Sequence, residues 1–478
     1  LSHTSAILIT LIVYKLLLLG IGFWASKRTQ SAEDFFIGGK GLGPWVSAIS
    51  ACASASSAWS LLGMSGAAWA MGLSVVWLFP AVIGGYLFNW LYLAPRLRHL
   101  GNQTGAISVT DLLSGKGHWK MPIAVLCSFA IVFSFAFYIA SQLQAAGTTF
   151  ASTFEMPASE AIILGTGIIL IYTLLGGFWA VAVTDTLQGL LMAAVAVALP
   201  ATALWVIGGP VALFEQLSQL LTPEQLSLTG GRTGDLALAF VVGMLAVGLG
   251  NPGQPHVVNR FMAVRDEKSL RQASIIGLIW PVIVYGGMMV VGWCARVLLP
   301  PELATGNEGV LFVLTQQLFA PVLAGIVVAA SLSAIMSTAD SQLLSAGSAL
   351  SHDIGLGKQH ALLISRLTVA VMCLVSMLLA IYAPAAIFSR VLFAWAALGS
   401  AFGPLLIVLA SGRSVPGLWR FAAVAAGFGL TLIFNWFTQS TSSWLERLIP
   451  FVVALLLAYM GSVLAKRATA VSELAHES

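Results

Sequence analysis

Of the 478 residues, 58% are hydrophobic and only 8% carry a charge. That balance excludes a soluble globule of this length and points to an all-α polytopic membrane protein. The basic excess of +4 says little until it is mapped onto loops, and no nucleic-acid partner is expected. Cys52, Cys127, Cys294 and Cys373 lie in apolar stretches without paired spacing, and read as small core hydrophobes.

In chain order, apolar runs of spanning length recur about thirteen times: 5 to 25, 44 to 71, 74 to 95, 122 to 148, 159 to 177, 183 to 208, 235 to 259, 271 to 299, 320 to 350, 361 to 383, 386 to 411, 417 to 437 and 447 to 465. The first carries Lys15 in its middle and runs into Ser26-Lys27-Arg28 without a basic lead-in, so it is expected to be a retained helix. Snorkelling or a protein partner is the expected role of Lys15. One set of loops collects Lys27, Arg28, Lys40, Arg96, Arg98, Arg260, Arg265, Lys268, Arg271, Lys358 and Lys466 among others; the opposite set has little beyond Arg232, Arg296 and Arg447. An odd number of spans and the positive-inside rule then put the N-terminus outside and the C-terminus in the cytoplasm. The outer stretch Phe214 to Leu221 is expected as a short amphipathic helix over an entrance or as a passive connector.

Two spans carry sequences that a continuous helix tolerates poorly. Span two holds Ser50 to Trp59, a run of small and hydroxyl residues that competes with its own helix. Span seven holds Gly248-Leu249-Gly250-Asn251-Pro252-Gly253-Gln254-Pro255. Breaks five spans apart are the mark of an inverted-repeat transporter with its site near the midplane; close-packed kinked helices are the bland alternative. Span nine then supplies oxygen chemistry at lipid depth. In Ser333 to Leu344, the residues Ala334, Ser337, Thr338 and Ser341 share one face, with Asp340 just round the helix. A buried carboxylate there makes a cation or proton site the default, against a seam of small residues packing helix on helix.

Several further motifs carry a family likeness. They are Phe36 to Pro44, Gly176-Gly177-Phe178, Thr184-Asp185-Thr186-Leu187-Gln188, Gly253-Gln254-Pro255-His256 with Arg260-Phe261-Met262, Met336-Ser337-Thr338, and Ala394 to Pro404. On these residues the chain resembles the sodium/solute symporter family, and within it the bacterial sodium/proline permeases. The resemblance implies a LeuT-type core of two inverted five-helix repeats, at 44–208 and 235–411. It also implies a peripheral helix and inner loop at 1–43, an outer loop at 209–234, and two peripheral helices with a short cytoplasmic tail at 412–478. It further implies cation-driven uptake of a small zwitterion or carboxylate, most simply an amino acid. No enzyme activity and no cofactor beyond a coupling ion, Na+ or H+, is expected.

By the same resemblance, Na+ falls on the carbonyls of Ala53, Ser56 and Ala334 and the hydroxyls of Ser337 and Thr338. A second cation or a proton falls on Asp185, Asp340 and Ser341, together with Ser337. The solute lining falls on Trp59, Tyr138, Gln142, Val247, Asn251 and Pro255. The chain departs from the proline permeases at Ala55, where they carry an aspartate, and at Val247 and Asn251, where they carry an aromatic pair. Proton coupling, and a transporter-like solute sensor acting through a signalling partner, are the alternative functions. His256, His352 and His360 show no metal spacing, and Gly355-Leu356-Gly357-Lys358 lacks the spacing of a phosphate loop.

Overall fold

The computed structural model describes residues 3–26, 41–175, 178–300, 307–355, 361–383, 385–438 and 444–477. The motif residues Phe36 to Lys40, Gly176 and Gly177, the loop residues Lys27, Arg28 and Lys358, and His360 lie outside the described residues.

The chain is helical nearly throughout, because apolar side chains at lipid depth leave the backbone no partner but itself. The first helix, α1, is His3–Ser26. Then come α2 (Pro44–Ala55), α3 (Met64–Met71), α4 (Leu78–Leu87), α5 (Ala94–Thr104) and α6 (Val109–Ser114). The long helices α7 (Lys120–Phe154), α8 (Ala158–Leu175) and α9 (Phe178–Ile207) follow, then the shorter helices α10 (Pro210–Leu220) and α11 (Pro223–Leu226). The second half holds α12 (Gly234–Leu245), α13 (Pro255–Met262), α14 (Glu267–Leu298), α15 (Val310–Leu318), α16 (Pro321–Ser348), α17 (Ala361–Tyr382) and α18 (Ile387–Ala410). The chain closes with α19 (Gly417–Thr438) and α20 (Trp444–Glu477).

Local chemistry sets the ends. Proline opens α2, α10, α13 and α16 at a position where a missing N–H is harmless. Ser108 caps α6 and Asp266 caps α14, each accepting the backbone N–H three residues on, at 3.0 and 2.7 Å. Gly105, left-handed at φ 72°, stops α5.

Among the described residues, ten helices are long and apolar enough to cross a membrane, with shorter apolar stretches at Ser5–Ile21 and Ala158–Ile171. The expected count of thirteen is not reproduced, in part because helical turns run unbroken from Trp59 to Thr104, joining spans two and three. Burial separates core from rim. In α16 and α18 the apolar window is 83% and 89% buried, against 28% and 33% in α19 and α20. The central pair is therefore α16 and α18, and the last two helices face lipid.

Both expected breaks fall inside spans. Helix α2 stops at Ala55, Ser56 leaves helical geometry at φ −97°, ψ 88°, and a wide turn restarts at Trp59. In the second, α12 tightens into a 3-10 segment at Ala246–Gly253, Gln254 is extended, and α13 begins at Pro255. This second break lies backbone to backbone on α18. A Cβ at Gly253 would sit 2.3 Å from the Leu398 carbonyl oxygen and one at Gly399 2.5 Å from the Gly250 Cα, so glycine alone fits there.

One expectation from chain position changes. Arg260, counted with the basic loops, is 2% exposed and belongs to the core. Arg390, in the first turn of α18, is buried and bonds to Ala383 O and Gln144 Oε1. The stretch from Phe214 lies within α10, which packs on α14 through buried Leu213 and Leu217 while Phe214 stays exposed.

Candidate functional site

Unwinding at Ser56 turns the carbonyls of the preceding turn outward, and α16 meets them with its hydroxyls. Ser337 Oγ donates to Ala53 O at 3.2 Å and lies 3.3 Å from Ala334 O; Thr338 Oγ1 donates to Ser54 O at 3.0 Å. All are fully buried. The structure thus gathers Ala53, Ala334, Ser337 and Thr338 into one cluster of neutral oxygens. Ser56 stands beside them, its hydroxyl accepting from Trp280 Nε1 at 2.8 Å. Neutral oxygens of this kind suit a monovalent cation; divalent ions call for more carboxylates.

Asp185 and Asp340, expected to flank one site, share no hydrogen-bond partner. Asp185 Oδ2 takes Arg260 at 2.8 Å, Ser54 at 2.9 Å and Ser50 at 3.1 Å, and lies 3.5 Å from the Ser341 hydroxyl. Arg260 also donates to Ser50 and Ser341 and to His256 O. Arginine's fixed fork thus ties α13 to α2, α9 and α16 below the oxygen cluster. Asp340 points the other way, to the hydroxyl of Thr173 on α8. The two diverge because 340 and 341 lie about 100° apart round the helix.

A pocket beside the first break is lined by Ala55, Trp59, Tyr138, Val247 and Asn251, with Tyr86, Tyr285 and Trp395 completing an aromatic box. About 10 Å³ is free for a water centre, room for about one water, so the pocket is closed. Trp59 stacks obliquely on Tyr285 at 5.6 Å and on Phe388 at 5.9 Å, roofing it. Beyond Phe388 a vestibule of about 670 Å³ opens between α3, α7 and the start of α18, with Glu308 on its wall. Glu308 accepts the Phe388 N–H at 3.0 Å; burial holds its carboxyl above the ordinary range.

Two expected lining residues do not reach the pocket. Gln142 Oε1 accepts the Ala58 N–H at 2.9 Å, satisfying the broken backbone. Pro255 starts α13 on the far side of Gln254, whose amide bonds Gly250 O and Trp395 O at 3.0 Å each. Trp59 and Tyr138 do line it; Tyr138 OH also bonds Ser57 Oγ at 3.2 Å. At the opposite end, His352 meets Asp111 at 3.2 Å and lies with Asp353 in one cluster whose ligand-type atoms are within 4.8 Å. Chain spacing hid this cluster, since Asp111 is 241 residues away.

The comparisons with known proteins bear on this geometry. A family model described as the sodium:solute symporter family matches residues 35–411. The osmoregulated proline transporter OpuE of Bacillus subtilis (strain 168) is 32% identical over 473 residues, covering 96% of this chain and 95% of its own. A sodium/proline symporter of Escherichia coli (strain K12) is 33% identical over 419 residues, 84% and 82% of the two chains. Among solved structures, a Na+-coupled sialic acid symporter in a substrate-bound outward-open state superposes with a TM-score of 0.78 at 18% identity, covering 96% of this chain and 98% of that one. MhsT in complex with L-phenylalanine gives 0.55 at 15% identity, over 87% and 98%. The fold is therefore the LeuT type, carried by a multi-pass membrane protein that is a transporter and not an enzyme. With the family model spanning most of the chain and near-full-length relatives above 30% identity, the chain belongs to the sodium:solute symporter family.

Proposed function

We propose that this protein imports a small zwitterionic amino acid, proline or a close relative, driven by a Na+ gradient across a bacterial plasma membrane. One observation carries the reading: Ser337 and Thr338 donate across to the Ala53 and Ser54 carbonyls at the first break, which adjoins the Trp59–Tyr138–Asn251 pocket. Na+ would exchange those hydroxyl–carbonyl bonds for contacts to Ala53, Ser56 and Ala334 carbonyls and the two hydroxyls. Ion and solute then share one unwound segment, and binding of either favours the other by linkage. The lining supports a compact solute with an apolar body, met by the aromatic box and Val247, and a polar group met by Asn251 and Tyr138. The repeats 44–208 and 235–411 would rock about this segment, with the N-terminus outside and the C-terminus in the cytoplasm.

The test is uptake into proteoliposomes across a panel of labelled amino acids under an imposed Na+ or H+ gradient. Na+-driven uptake with proline among the preferred solutes is the expected result. Uptake driven only by H+ would overturn the coupling ion, and solute binding without uptake would point to a sensor.

A further inference from the structure

Helix α16 presents a second polar stripe beside its cation face. Ser333, Met336 and Asp340 lie within about 60° of one another round the helix, and α1 docks on that stripe. Tyr14 OH meets Ser333 Oγ at 2.5 Å, and Lys15 Nζ rests on Met336 Sδ, one turn from Asp340. A thioether is a weak acceptor for an ammonium with three donors. Asp340 is fully buried; Oδ1 takes the Thr173 hydroxyl, and Oδ2 has no hydrogen-bond partner among the described residues. Because Met336 and Asp340 are one turn apart on the same stripe, the contact to Met336 brings Lys15 Nζ to the side of α16 from which Asp340 projects. Lys15 is the thirteenth residue of the 24 in α1, roughly 18 Å from either end of the helix, too far for its stem to carry the charge to a headgroup. The Tyr14 ring, 5.6 Å from Nζ, offers only a weak cation–π contact; the full complement for the charge on this side of α16 is the Asp340 carboxylate.

We infer that Lys15 is the fixed countercharge of Asp340, and that this pair, like Arg260 with Asp185, fills the electrostatic role of a second coupling cation and leaves one Na+ per solute. The inference rests on the proposed Na+-coupled reading. Each carboxylate near the ion path would otherwise need a cation or a proton taken up on one side of the membrane and released on the other. Arg260 already sits 2.8 Å from Asp185; Lys15 supplies the same to Asp340 from a helix outside the two repeats. A peripheral helix thereby enters the transport stoichiometry.

The test uses the full chain in two readouts. In proteoliposomes, the reversal potential of labelled proline uptake gives the Na+ to solute ratio, expected as one to one with a Hill coefficient near 1. Lys15→Met is expected to lower uptake about tenfold, equivalent to about 1.4 kcal/mol, or to raise the Hill coefficient toward 2 as Na+ is drawn to the bare carboxylate. Lys15→Met with Asp340→Asn should recover most of that loss, as partners in a pair do. In detergent, the melting temperature reads the pairing without transport: each single variant should melt lower than the parent, and the double should melt above both. Additive losses in the double variant, in either readout, would overturn the pairing; a two-to-one ratio in the parent would overturn its stoichiometric role. Failure of the parent to use Na+ at all would refute the underlying reading, while the melting temperatures still decide the pairing.

Discussion

Thr338 Oγ1 lies 3.0 Å from the carbonyl oxygen of Ser54, so the hydroxyl pair of α16 closes directly on the backbone that α2 leaves open. This contact joins the interrupted helix α2 to the continuous helix α16. Removing both hydroxyls strips two oxygens from the proposed Na+ site and takes from the buried Ser54 carbonyl the Thr338 donor, while Ala53 O keeps the Ser56 N–H at 3.1 Å. Ser337→Ala with Thr338→Ala should therefore raise the Na+ concentration for half-maximal uptake about tenfold or more, equivalent to about 1.4 kcal/mol. An unchanged Na+ dependence in a correctly inserted double variant would remove this cluster from the ion path.

The Asp185–Arg260 pair makes a different prediction, because both groups are buried and their hydrogen bonds span four helices. Deleting one partner of a buried pair leaves the other charge without compensation, a loss of about 3 to 5 kcal/mol. Arg260→Gln should lower the melting temperature in detergent more than Asp185→Asn, since the asparagine still serves Ser50 and Ser54. Equal, small effects would show that water, and not the pair, solvates this region.

Asn251 lines the aromatic pocket from the second break. Its side chain is pinned: the amide bonds Gly248 O at 3.3 Å, and a Cβ at Gly85 would fall 2.1 Å from Nδ2. A tyrosine there would displace α4, so the sharper variant is Asn251→Ala. It should change the order of preference across an amino-acid panel while Na+ dependence persists, because a site that pairs a polar group discriminates against ligands lacking it. Loss of activity with the order intact would make Asn251 a packing residue.

How much of this was legible in the sequence depends on the range of the interaction. The breaks were legible because Gly248 to Pro255 and Ser50 to Trp59 weaken a helix through their own backbone chemistry. The face bearing Ser337 and Thr338 followed from helical spacing. Arg260 was misplaced because its partner Asp185 is 75 residues away and a charge beside a span end looks like a loop residue. Lys15 and Met336 are 321 residues apart, so only the docked helix shows that the lysine points inward. Gln142 was misread for the opposite reason: its amide looks like a ligand group, yet the orphaned N–H of Ala58 claims it. Tyr86 and Tyr285 carried no motif, and an aromatic in an apolar span is by composition a core residue.

The roof of the pocket rests on Glu308. Its carboxylate accepts the Phe388 N–H at 3.0 Å, fixing the first turn of α18, and the Phe388 ring stacks against Trp59. Burial raises the Glu308 carboxyl above its ordinary value, with the Phe388 and Ile387 backbone and Arg390 opposing the rise. For a carboxyl raised in the folded protein, the folded state binds more protons than the unfolded one between the two pKa values. Stability therefore falls as pH rises through that window. Glu308→Gln keeps an acceptor for Phe388 and removes the titration. The melting temperature of Glu308→Gln minus that of the parent should accordingly grow as pH is raised from about 4.5, the ordinary value for glutamate, and then level off. Taking the difference cancels every other titrating group the two proteins share. A difference that is flat across pH 4 to 8 would show that Glu308 is solvated in the vestibule, whereas a loss of stability in Glu308→Gln at neutral pH would show that the negative charge itself holds α18 in place.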